Sequence, residues 1–302
     1  MIMKNQTDIH PRGRQSALPN TQHGPRTTDR AFTLVELLVV ISIIAILAAL
    51  LLPVLNRVKI KAQVQKSKME VGTIANAIKT YEADYSKYPV SAPAMSAAAA
   101  VSAATGGPED FTYGTYGVSC VGPNGSNTIS TGFSTPNTPY AINTPGAYQT
   151  NNSEVMAILL DVESWPNSPT QPTCNAGHVK NPQKTQYLNA TMAGDTKSPG
   201  IGQDGIYRDM WGNPYIITID LNFDERARDA FYRNPGVSAD WTDSNSPQRG
   251  LNGLIPKVTS AGTFYEANSP VMVWSAGPDK LIDNNNKATL GANKDNIMSW
   301  KQ

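Results

Sequence analysis

The sequence predicts an α+β fold: a long N-terminal helix, half membrane-spanning and half amphipathic, packed on a small antiparallel sheet and interrupted by a large irregular insert. Three observations predict it. An unbroken apolar run occupies residues 31–52, a helical apolar stripe follows over residues 71–88, and short alternating strand patterns lie near the C-terminal end. Of the 302 residues 40% are hydrophobic and 16% charged, against about 25% charged in an ordinary soluble domain. That composition supports a sizeable core and excludes a wholly disordered chain.

The apolar run reads AFTLVELLVVISIIAILAALLL from Ala31 to Leu52, broken by one charge, Glu36, and the hydroxyls Thr33 and Ser42. At a rise of about 1.5 Å per residue such a helix crosses the roughly 30 Å hydrocarbon core of a bilayer. A cleaved secretory signal would end in a small-residue A-x-A site after a shorter core, whereas this run passes into Pro53 and a basic, helical segment. A plain anchor leaves Glu36 unexplained, because an intramembrane carboxylate costs about 2–3 kcal/mol and normally has a partner. The apolar run offers none. A cut between Ala31 and Phe32 would create an α-amino group, and a neighbouring helix shifted along its axis would present that amine to this Glu36.

The residues Arg30-Ala31-Phe32-Thr33-Leu34-Val35-Glu36-Leu37 resemble the processing signature of the type IV pilin-like family. The order is basic residue, small residue, cut, aromatic, Thr, and Glu at the fifth mature position. Pro53 falls where this family carries a helix-kinking proline. The resemblance implies that a membrane-embedded prepilin peptidase removes residues 1–31, a cytoplasmic leader, and N-methylates Phe32. It also places the remainder outside the bacterial inner membrane, anchored by a single pass over residues 32–52. Ala31 departs from the usual Gly but is still small. Charge alone does not orient the segment, since residues 12–31 carry four basic groups and residues 53–72 carry five.

Residues 53–89 continue the helix outside the membrane. Val71, Ile74, Ile78, Tyr81, Tyr85 and Tyr88 form one stripe, opposed by Glu70, Asn76, Lys79, Glu82 and Lys87, and Pro89 supplies the stop. Val54 to Lys68 is too polar to be buried all round and reads as an exposed stalk. The close of this helix, Tyr81, Asp84, Tyr88 and Pro89, is similar to that of the major pseudopilins of type II secretion systems.

From residue 90 to 205 the composition shifts to Gly, Pro, Ser, Thr and Asn with an Ala-rich run, and only Glu154 to Val162 reads as a further helix. Relative to the pseudopilin pattern this is a large insertion. Both cysteines, Cys120 and Cys174, lie in it. A disulfide between them would close a loop of about 54 residues, worth about 3–4 kcal/mol on the chain-entropy model. The alternative is two buried thiols.

Residues 206–302 return to order. Asp209-Met210-Trp211-Gly212-Asn213-Pro214-Tyr215 reads as a turn with Trp211 as a core anchor, followed by a strand over Ile216 to Asp220. A short helix is expected over Asp224 to Arg233 and a second strand over Val271 to Ser275. The turn and the strand end Trp274-Ser275-Ala276-Gly277-Pro278-Asp279 again match the pseudopilin pattern.

Gly277 to Trp300 gathers Asp279, Asp283 and Asp295 with several Asn residues and no His or Cys. Hard oxygen donors at irregular spacing suit Ca²⁺, and zinc is disfavoured. A solvated Asn/Asp turn has the same composition. Major pseudopilins carry a Ca²⁺ in this loop, and the resemblance implicates Asp279, Asp295 and Asn296, with Ser275 and Asp283 less directly. Asn296 stands where an Asp is common.

The net charge of +1 is uneven: beyond residue 31 there are 20 basic and 22 acidic residues, net −2, and residues 69–302 carry net −6. A body of that sign has no electrostatic grip on nucleic acid. His10, His23 and His178 are scattered, and no nucleotide or nucleophile motif is present, so a non-enzyme is expected. The resemblance implies a subunit that polymerises with itself and other pseudopilins into a short periplasmic filament. That filament would be served by the prepilin peptidase and an inner-membrane secretion platform, and would drive type II protein secretion. The alternatives are a type IV pilin for adhesion, motility or DNA uptake, and a membrane-anchored binding module acting through the insert.

Overall fold

The computed structural model describes residues 32–96, 98, 110–121, 127–131, 151–240, 249–259 and 262–301. Helix α1 runs from Leu34 to Tyr85, 52 residues, through Pro53. Proline lacks the N–H that would bond four residues back, so one helical hydrogen bond is lost there while the helix continues on either side. The chain divides into two compact units, Met1–Val54 and Leu55–Gln302. In the first, every described side chain from Phe32 onward is exposed, which is how an apolar membrane helix reads without lipid. In the second, Val71, Ile74, Ile78 and Tyr81 are buried as their spacing predicts, and Tyr85 is partly buried. Each fully buried Ile contributes about 1.5–3 kcal/mol. The helix ends where Ser86 turns to φ +51° and donates its N–H to Glu82 O at 2.6 Å, a left-handed cap ahead of Pro89.

The central sheet is antiparallel. It is built from β1 (Phe111–Tyr113), β8 (Ile216–Ile219), β11 (Val271–Ser275) and β13 (Ile297–Met298), in that spatial order. Successive strand residues face opposite sides. Ile217, Ile219, Val271, Val273 and Ile297 share a core with the α1 stripe. Ile216, Met272 and Trp274 share a second core with Phe231, Tyr232, Val237 and Tyr265. The two expected strands are therefore present, Val271–Ser275 with identical bounds, and the α+β, pilin-like architecture holds.

The insert is more ordered than its composition implies. It supplies the edge strand β1, helix α2 (Ser153–Leu159), and a sheet in which β2 (Tyr116–Val121) pairs with β3 (Asn127–Thr131). Strand β2 also pairs, in parallel, with β12 (Leu281–Ile282). Short hairpins follow: β4 (Ser164–Trp165) with β5 (Ser168–Pro172), and β6 (Gly200–Ile201) with β7 (Tyr207–Arg208). Beyond the insert β9 (Ile255–Thr259) pairs with β10 (Gly262–Glu266). Val155 to Leu159 of α2 are all fully buried in the α1 core.

Three expectations are corrected. Asp224 to Arg233 is not a helix; the helical turn is α3, Pro235–Ser238. The carboxylate of Asp220 captures the N–H groups of Asn222, Phe223 and Glu225, and Phe223 and Glu225 adopt φ +59° and +65°. Asp229 captures those of Phe231 and Tyr232, so the backbone donors a helix needs are spent locally. Second, Glu70 leaves the polar face: it is half-buried and accepts the Tyr215 hydroxyl at 2.5 Å. Third, Cys174 is a free thiol. Its Sγ donates to Glu154 O at 3.6 Å, in the segment after β5, while Cys120 lies on β2 opposite Thr128 and Ile282. The expected disulfide is not formed, and the Cys120 side chain lies outside the described residues. Burial pushes the Cys174 thiol up to about 12, which keeps it protonated at neutral pH.

Candidate functional site

Two places carry the residues singled out in the sequence: the first turn of α1 and the loop after β11. Arg30 and Ala31 lie outside the described residues, and Phe32 is exposed immediately before the helix. Glu36 Oε2 accepts the backbone N–H of Thr33 and its hydroxyl, both at 2.8 Å. Thr33 Oγ1 in turn accepts the Glu36 N–H at 3.2 Å. This is a capping box, Thr-x-x-Glu, which satisfies helix-end donors that lipid cannot. The view that Glu36 lacks an intrachain partner is therefore corrected; the Thr-x-x-Glu spacing was the available signal. A cut before Phe32 leaves the box intact, since the Thr33 N–H belongs to the Phe32–Thr33 peptide bond. Glu36 Oε1 accepts no hydrogen bond among the described residues and stays open to an external cation.

The second place begins with the turn Asp209–Tyr215. Asp209, fully buried, accepts the N–H groups of Trp211 and Asn213 on Oδ1 and the Asn213 amide on Oδ2. Oδ2 also receives the Ser275 hydroxyl. Ser275 Oγ accepts the Gly277 N–H at 3.0 Å, and the Asn213 amide donates to Gly277 O at 3.0 Å. The turn thus clamps the end of β11. Burial raises the Asp209 carboxyl above its usual range, opposed by the Ser275 and Asn213 hydrogen bonds. Trp211 is partly buried against the α1 core, as an anchor should be.

From that clamp the loop carries Asp279 and Asp295 to one place. Gly277 is at φ +74°, and a Cβ there would lie 2.4 Å from Asp295 O, so only glycine lets the two strands of the loop approach. Asp279 is raised above its ordinary value by burial and by the negative charge of Asp295. Asp295 is raised by burial, against the Asp279 and Asp295 backbone N–H groups. Asp295 Oδ1, Asn296 Oδ1 and Asn284 Oδ1 are buried without a hydrogen-bond partner.

Ser275 and Asp283 serve elsewhere. Asp283 accepts Asn285 N–H at 2.8 Å and the Asn286 amide at 2.7 Å. It is tied to Asn293, which accepts the Asp283 N–H and donates to Asp283 O and Asn286 O. Asn293 is fully buried and organises the loop, a role its composition, one Asn among many, did not reveal. Asn296 donates to the Tyr232 hydroxyl at 2.8 Å. Among the described residues no group of three or more His, Cys, Asp or Glu side chains is arranged to hold a metal ion. An ion here would rest on Asp279 and Asp295, with amide and backbone oxygens completing the shell. The unpartnered oxygens are all hard donors and fit Ca²⁺. Asp295 and Asn296 also border a cleft of about 650 Å³ lined by Val64, Lys68 and Gly72 of α1 and by Lys294 and Lys301.

Comparison with known proteins finds the prokaryotic N-terminal methylation motif over residues 26–52. The chain is similar to three proteins named type II secretion system core protein G. That of Klebsiella michiganensis is 39% identical over 72 residues, 24% of this chain and 51% of the relative. That of Escherichia coli is 44% identical over 66 residues, 21% and 46%. That of Aeromonas hydrophila is 38% identical over 82 residues, 27% and 56%. The chain spans about half the length of the curated relatives it matches. No solved structure matches it significantly.

Proposed function

We propose that this protein is a pseudopilin subunit, processed by prepilin peptidase and polymerised into a short periplasmic filament that drives type II protein secretion. The observation that carries the reading is the first turn of α1. An apolar helix of membrane length opens on a carboxylate whose Oε2 is fixed by Thr33 and whose Oε1 is open. It sits within the methylation motif, and the similarity to three core G proteins supports the secretion role.

In this account the peptidase removes residues 1–31 and methylates Phe32, and the helix holds the subunit in the inner membrane. In the polymer each Glu36 receives the Phe32 amine of a neighbour on its free oxygen. Burying a carboxylate in lipid is costly unpaired and tolerable paired, so Glu36 makes the assembled state preferable to the isolated one. In the same account the role of the body is to pack against other copies and other pseudopilins.

Ca²⁺ in the loop after β11 would be held by Asp279 and Asp295 with Asn296 oxygens nearby. It would offset the repulsion between the two carboxylates and tie the loop to the sheet, and so would add folding stability. The test of the assembly reading is Glu36→Ala in the native host: processed, membrane-inserted monomer should persist while sheared filaments disappear. Filaments at the parent level in that variant would remove the charge-pair mechanism.

A further inference from the structure

The insert holds a hollow that the assembly role does not use. It measures about 410 Å³, within the range of small-molecule sites, and lies between the β4–β5 hairpin, the start of α2 and the turn before β7. Its walls include Glu154, Trp165, Asn167, Ser168, Gln171 and Asp204. The frame is fixed. The Asn167 N–H donates to Gln203 O at 3.0 Å, which ties the hairpin to that turn, and the Thr173 N–H donates to Glu163 O at 2.8 Å. Gly205 sits at φ +77°, and a Cβ there would lie 2.2 Å from Trp165 Cε2, so only glycine lets the turn close on the indole. Trp165 is thereby held with 8% of its surface exposed.

The polar groups on this frame are unspent. Among the described residues the Trp165 indole N–H, the Asn167 and Gln171 amides and the Ser168 hydroxyl take part in no hydrogen bond. Glu154 Oε1 accepts the Ser91 N–H and the Tyr113 hydroxyl, both at 2.9 Å, and Oε2 is left open. Asp204 is occupied by Arg208, with Nη1 donating to Oδ1 at 2.9 Å and Nη2 to Oδ2 at 2.6 Å. No Lys, Arg or His is among the described residues that line the hollow.

These groups select the ligand. An anion would meet an open carboxylate with no cation to hold it. An apolar ligand would strand the amides and hydroxyls. A ligand hydroxyl both donates and accepts, as Asn and Gln amides and Ser do, while a carboxylate oxygen and an indole N–H each match one half of it. We infer that the hollow binds a neutral saccharide. The Trp165 N–H donates to it, Glu154 Oε2 accepts from it, and the Asn167 and Gln171 amides bridge its hydroxyls. This recognition role stands separately from filament assembly.

The test is saturation-transfer NMR on the full chain in a sugar-free zwitterionic detergent, with the methyl glycosides of glucose, galactose, mannose and N-acetylglucosamine as probes. At least one glycoside should receive saturation from the parent. Trp165→Phe removes the N–H and keeps an aromatic ring, and should weaken that glycoside about tenfold. Asn167→Ala combined with Gln171→Ala should abolish the transfer. Both of those side chains are exposed, so the double variant reads the site even where Trp165→Phe does not fold. No transfer to any of the four probes, or equal transfer from the parent and the double variant, would overturn the site. So would transfer to ethylammonium and to none of the glycosides, which would make Glu154 the seat of a cation.

Discussion

Glu36 Oε2 accepts both the backbone N–H and the hydroxyl of Thr33, each at 2.8 Å, at the first turn of a helix of membrane length. The pair gives one carboxylate two duties, closing the helix end within its own chain and offering its second oxygen to another. The two duties separate by mutation. Thr33→Val should remove the cap at a cost of about 1 kcal/mol, leaving processing intact and reducing filament yield in a pelleting assay. Glu36→Ala should abolish the yield. Equal yields from the two variants would show that capping is all Glu36 does.

The loop after β11 predicts a reversal of sign. Asp279 and Asp295 are both raised above the ordinary carboxylate range by burial, and Asp279 also by its neighbour's charge. Without an ion their charged forms destabilise the fold, so Asp295→Asn should raise the melting temperature of the Ca²⁺-free protein. With Ca²⁺ at a hundredfold excess over its dissociation constant the parent should gain about 2.7 kcal/mol, and the variant should gain little. Thermal melts in EDTA and in Ca²⁺ read both signs; a parent that melts identically in the two would refute the ion.

Gly277 provides a geometric test of the same loop. Gly277→Ala adds a Cβ 2.4 Å from Asp295 O at φ +74°. It should cost at least about 1 kcal/mol in chemical denaturation and remove any Ca²⁺-dependent gain, because the methyl displaces Asp295.

Much of this was legible beforehand, and the reasons for what was not are local. The α1 stripe and Val271–Ser275 follow from apolar periodicity, and periodicity survives into the fold because burial selects it. Asp224–Arg233 contains good helix formers, yet the carboxylates of Asp220 and Asp229 take up the N–H groups first. Asn293 looked like its neighbours, and only long-range closure on Asp283 distinguishes it. His178 is isolated in the sequence, and the β4–β5 hairpin, not a motif, sets it against Asp161 and Glu163. The Thr33-x-x-Glu36 spacing of a capping box is present in the sequence beside the intramembrane charge, and the first turn uses it.

A buried carboxylate contributes to the pH dependence of the body. Asp110 accepts the N–H groups of Leu221 and Arg228, and burial pushes its carboxyl up to about 8. A folded-state value above the unfolded one means that this group favours the fold when protonated. Its contribution is present below about pH 4 and is lost as pH rises through about 8. Asp110→Asn should therefore flatten the fall in stability between pH 4 and 8, by up to about 1.4 kcal/mol per pH unit where Asp110 dominates. Urea melts across that window measure it, and an unchanged slope would remove Asp110 as its source.

The central claim is that Phe32 becomes the N-terminus and lends its amine to a neighbour's Glu36. Intact-mass and N-terminal analysis of the protein from its native membrane tests this most directly. The account predicts a chain that begins at Phe32 and carries one added methyl group. A chain that keeps residues 1–31, or begins beyond Leu52, would contradict it.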